Sequence, residues 1–171
     1  MTIEEAKETI NNAKDLGFSG AEFLETLGAE NVRRSCNGIG PEKMPEKWRV
    51  RLDNWLWLFK DPCRCHDCRF TFDNDGSEAK FRAANDELGR NCLIMADSEY
   101  TWYNPLRYVW RHRAKGVAWV CQTFGWESWR DAYVKAKKQG IVSCFNGFPA
   151  GTGNADGEGK RPLSVGGVSS A

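Results

Sequence analysis

One short stretch gathers most of the side chains that could do chemistry. Cys63, Cys65, His66, Asp67 and Cys68 lie within six positions and include one of only two histidines and three of the seven cysteines. Two kinds of site are open to them. A histidine can serve as a general base while the neighbouring aspartate holds a hard cation. Alternatively, Cys63, Cys65, His66 and Cys68 offer the three thiolates and one imidazole of a tetrahedral zinc site. The spacing favours the first. Zinc sites usually join two separated ligand pairs, whereas these four residues span barely two helical turns and project about 100° apart per residue.

The flanking elements decide what His66 and Asp67 can face. Pro62 starts a helix to about Phe72, and Asp73-Asn74-Asp75-Gly76-Ser77 is a turn. Glu78 to about Ala96 reads as the next helix, with Phe81, Ala84, Leu88, Cys92 and Met95 on one face. Two helices across so short a turn lie antiparallel. His66 is then about 12–15 Å before the turn and Asn85 or Asp86 a similar distance after it. One of the two should meet the imidazole. Upstream, Ser35 to Pro41 is a loop in which Gly38 and Gly40 let carbonyls turn towards a common point, as a cation requires. An ordinary turn satisfies the same residues.

The remaining segments are helical as well. Thr2 caps a helix to about Leu16, and a second runs from Gly20 to Leu27. Trp48, Leu52, Trp55, Leu56 and Phe59 form a stripe on a helix from Pro45 to Lys60, read as a core helix. Leu106, Trp110, Val117, Cys121 and Phe124 belong to a helix ending near Gly125, and Ser128 caps a last one through Lys138. The fold class is therefore all-α. The division is a helical hairpin over 1–30, a helical body over 31–140 and a Gly/Ser-rich flexible tail over 141–171.

Composition narrows the function. A 41% hydrophobic chain with eight Trp excludes a disordered protein, and 24 basic against 23 acidic residues argues against a nucleic-acid partner. Arg107 and Arg111 interleave with Trp102 and Trp110, a pattern that suits either an anionic membrane surface or a solvated helix face. The acidic N-terminus is unlike a signal peptide. It predicts a soluble protein made in the cytoplasm, reaching other places by lysis or as virion cargo.

Cys63-x-x-His66-Asp67, preceded by Asn37-Gly38-Ile39-Gly40-Pro41 and followed by a partner helix, resembles the secreted phospholipase A2 family, nearest its small phage-encoded and bacterial members. The likeness covers about residues 35–95. It implies calcium held by Asp67 and the carbonyls around Gly38 and Gly40. It also implies that His66 is the base activating water against the sn-2 ester of a phospholipid, oriented by Asn85 or Asp86. The lipid-facing surface would include Trp55, Trp102, Trp110, Arg107 and Arg111, and a Cys63–Cys92 bridge would tie the helix pair. The chain departs from the family where Asn85 stands in place of an aspartate and where Cys68 sits one position before the usual cysteine. Two other functions remain open. One is a weak or inactive virion- or secretion-associated protein that docks a partner through residues 1–30. The other is a zinc-stabilised binding module.

Overall fold

The first helix begins where the sequence supplies a cap. In the computed structural model, which describes residues 1–36 and 45–138, the Thr2 hydroxyl accepts the Glu5 N–H at 3.1 Å and the Glu5 carboxylate accepts the Thr2 N–H at 2.7 Å. This reciprocal pair satisfies two orphan donors and starts α1, Ile3–Asp15. α2 spans Ala21–Ser35 but breaks at Gly28, whose φ of 73° is left-handed. The expected stop at Leu27 coincides with that break, and the chain then resumes helix as far as Ser35. α3 (Glu46–Trp55), α4 (Lys60–Phe72), α5 (Glu78–Glu99), α6 (Pro105–Phe124) and α7 (Trp126–Lys138) follow, with a single 3-10 turn at Trp57–Phe59. The described residues are all-α.

Among the described residues, three apolar clusters hold the helices together. Ala6, Ala13, Phe18, Phe23, Leu24, Leu27 and Val32 of the N-terminal hairpin pack on Cys65 and Cys68 of α4. Leu56, Leu58 and Phe59 pack with Leu88, Cys92 and Ala96 of α5 and with Trp110 and Ala114 of α6. A smaller cluster of Phe81, Ala84 and Trp129, backed by Phe70, seats α7. The hairpin over 1–30 is thus built onto the body through α4.

The core helix expected over 45–60 is the main correction. Leu56 has φ −112° and ψ 23°, which interrupts the helix and resets its phase. Leu56, Leu58 and Phe59 are buried by the resulting corner, but no residue of α3 is, and Trp48, Val50 and Trp55 are about half exposed.

Polar clamps complete the packing. The buried Asn91 side chain accepts the Ser19 N–H at 2.9 Å and donates to the Ser19 carbonyl at 3.1 Å, fastening the hairpin's corner to α5. Arg69 donates to both Glu87 carboxylate oxygens, at 3.1 and 3.0 Å, and to Asp73 at 2.9 Å. Gly20, at φ 85°, passes so close that a Cβ there would lie 2.6 Å from Glu87 Oε1. The guanidinium also lies over the Phe23 ring, 4.2 Å from its centroid. Arg69→Met should therefore leave Glu87 buried without its counter-charge and destabilise the protein by about 3–5 kcal/mol, read as a lower urea midpoint.

Candidate active site

His66 and Asn85 meet because α4 and α5 run in opposite directions. The pairs His66–Asn85 and Phe70–Phe81 advance along one helix as they retreat along the other. Across this seam His66 Nε2 lies 2.9 Å from Asn85 Oδ1. With that oxygen as acceptor, Nε2 carries the proton and Nδ1 the lone pair; no described residue bonds Nδ1. Phe70, one turn further along α4, packs on the imidazole with ring centroids 4.5 Å apart. The spacing of four between His66 and Phe70 is the signal from which this contact could have been read.

Part of the His66 surface reaches solvent, yet its surroundings are dry enough to matter. Burial pulls the imidazole pKa down to about 4, against the opposing effect of the Asn85 hydrogen bond. The ring is neutral at physiological pH, the state a general base needs. The choice left open between Asn85 and Asp86 falls to Asn85, which is 1% exposed, while Asp86 points outward and is exposed. The Asn85 Nδ2 group is buried and unpartnered among the described residues.

Asp67 projects about 100° away from His66 on the same helix. Burial pushes its carboxyl well above the usual carboxylate range, and the neighbouring Cys36 adds to the rise. No described residue donates a hydrogen bond to it; the Thr71 hydroxyl bonds only its backbone carbonyl. A carboxylate in dry surroundings without a donor suits one ligand of a hard divalent cation. Gly38 and Gly40 lie outside the described residues. Among the described residues no three His, Cys, Asp or Glu side chains gather as a metal set.

The cysteines divide between structures. Cys65 and Cys68 face the hairpin core and Cys63 packs against the other, so Cys63, Cys65, His66 and Cys68 do not converge. The expected Cys63–Cys92 bridge is absent. Both are free thiols in one apolar cluster, where burial pushes each thiol pKa up. Cys36 behaves differently. Its thiol pKa is lowered in spite of burial, first by the neighbouring Cys68 thiol and also by the Ser35 hydroxyl.

The outer aromatic residues also divide. Trp55 is about half exposed and Trp102 is 73% exposed. Trp110, expected at the surface, is instead buried, with edge contacts to Trp57 at 5.6 Å and Phe59 at 5.3 Å. Arg107 and Arg111 both pair with Asp97. Arg113 takes the role that spacing alone did not reveal. It stacks over Trp55 and Trp110 at 4.7 and 4.5 Å and donates to the Trp55 carbonyl, joining α3 to α6. Beside it, Pro45, Trp48, Arg51, Leu52 and Trp55 line an open apolar groove. No described helix is long and apolar enough to cross a membrane.

No family model matches the chain, and no curated protein or solved structure matches it.

Proposed function

We propose that this chain is a calcium-dependent hydrolase of the phospholipid sn-2 ester, with His66 as general base. The observation that carries the reading is the 2.9 Å contact between His66 Nε2 and Asn85 Oδ1 across an antiparallel helix pair. It holds the imidazole in one tautomer and leaves Nδ1 to take a proton from water. Asn85 keeps the ring oriented as that proton arrives, but its amide adds no negative charge to stabilise the imidazolium. Asp67 would hold calcium together with the carbonyls of Gly38 and Gly40. Bound there, calcium supplies polarisation of the ester carbonyl and positive charge for the developing oxyanion.

The outer surface supports a lipid substrate. Trp102, Tyr103, Leu106, Trp119 and Phe124 are at least half exposed, and α6 carries three arginines and a lysine with no acidic residue of its own, Asp97 of α5 pairing with Arg107 and Arg111. Aromatic and basic side chains together suit the headgroup layer of an anionic bilayer. A second reading, a catalytically weak protein whose surface binds a partner, is favoured by the missing carboxylate at Asn85.

Vesicles of phosphatidylcholine and phosphatidylglycerol separate the two. With calcium, the intact protein should release lysophospholipid and fatty acid, and His66→Ala should lower that release by about 10²-fold or more. Equal release from both proteins would defeat the hydrolase reading.

A further inference from the structure

We infer that Cys36 and Cys68 are a dithiol pair built to close into a reversible disulfide, making the junction of α2 and α4 a thiol-modification site. The observation is a shared hydroxyl. Ser35 Oγ lies 3.7 Å from Cys36 Sγ and 3.1 Å from Cys68 Sγ, so one hydroxyl bridges the two sulfurs. The Cys36 Sγ also reaches the Arg64 carbonyl at 3.5 Å, so its sulfur is held against α4. Cys63, Cys92 and Cys121 share a different apolar cluster, whereas Cys65 lies buried in the same cluster as the pair.

Accessibility sets an order of events. Cys36 is half-buried at the end of α2, whereas Cys68 is fully enclosed. A small-molecule disulfide of the glutathione class is the oxidant. The Cys36 sulfur, after losing its proton, attacks one sulfur of the oxidant and breaks its S–S bond, releasing one small thiolate. Cys68, deprotonated in turn, then attacks the Cys36 sulfur of the mixed disulfide and expels the second small thiolate. Two protein thiols are oxidised to one disulfide, one small disulfide is reduced to two thiols, and the two protons pass to the released thiolates. The adjacent Ser35 hydroxyl can donate to whichever sulfur carries charge during the exchange.

The link closes a loop of about thirty residues, which by chain entropy should raise the melting midpoint by about 5–10 °C. The inference is independent of ester hydrolysis and is read on mass and melting alone. The intact protein is incubated with oxidised glutathione, quenched with acid, alkylated and mapped under non-reducing conditions. The expected product has lost two hydrogens, carries a Cys36–Cys68 linked peptide, melts higher and reverts with dithiothreitol. In Cys68→Ala, glutathione should stay attached at Cys36; in Cys36→Ser, neither product should form at these positions. A lasting mixed disulfide at Cys36 in the unmodified sequence would overturn the inference. So would a Cys36 link to another cysteine, or a lower midpoint in the linked form.

Discussion

Exchanging Asn85 for aspartate is expected to raise the proposed phospholipid hydrolysis by about tenfold or more. The native amide oxygen accepts a hydrogen bond from His66 at 2.9 Å but leaves the developing imidazolium without a counter-charge. In a serine triad, the reverse exchange of carboxylate for amide costs about 10⁴-fold. A water-attacking base need not recover all of that, so the expected gain is smaller. The pH profile should move as well. With the native residue the imidazole stays neutral down to about pH 4. A carboxylate at that distance favours the charged ring and raises its pKa, so the acid limb of kcat/KM should shift upward. The position is 1% exposed, so the new charge also costs stability and rates belong to the folded fraction. A lower rate with an unmoved acid limb would show that Asn85 does not serve the base.

The second large effect concerns stability. Asp67→Asn should stabilise the calcium-free protein by about 1–3 kcal/mol at neutral pH, seen as a higher urea midpoint. The folded carboxyl titrates well above its ordinary value because burial penalises its charge. The sign follows. Below the unfolded-state pKa, near 3.8, both states hold the proton and the group costs nothing. As pH rises past that value the unfolded chain releases its proton first. The fold must then either keep the proton or bury a charge, so its stability falls with rising pH. The gap between Asp67→Asn and the native protein should therefore open above about pH 4 and widen towards neutrality. On the proposed calcium reading, added calcium should narrow it, since an ion bound by the native carboxylate stabilises the folded state by RT ln(1 + c/Kd) at free calcium concentration c. A variant no more stable than the native protein at pH 7 would show that Asp67 is adequately paired.

The start of α1 and the pairing of α4 with α5 were legible in the sequence because they depend on local chemistry. Thr2 and Glu5 form a capping box that needs only its own segment. The match in depth between His66 and Asn85 follows from helical rise and a short turn alone. What was not legible depends on tertiary packing. The stripe from Trp48 to Phe59 is continuous in sequence, but the backbone breaks at Leu56, and the two halves of the stripe go to different environments. Trp110 and Trp102 look alike in composition, yet one fills the corner beside Phe59 and the other lies in the open. Choosing between Asn85 and Asp86 required the relative rotation of two helices. A period of 3.6 does not supply that rotation.

α4 touches the hairpin cluster through Cys65 and Cys68 and borders the opposite cluster through Cys63. A helix walled on both sides cannot loosen without disturbing both clusters, whereas α3 rests on the body by one edge. Local opening should therefore be graded across the molecule. Amide protons in the middle of α4 and α5 should exchange with deuterated solvent only as fast as the whole protein unfolds. Those of α3 should be replaced long before, through excursions that never disturb the His66–Asn85 seam.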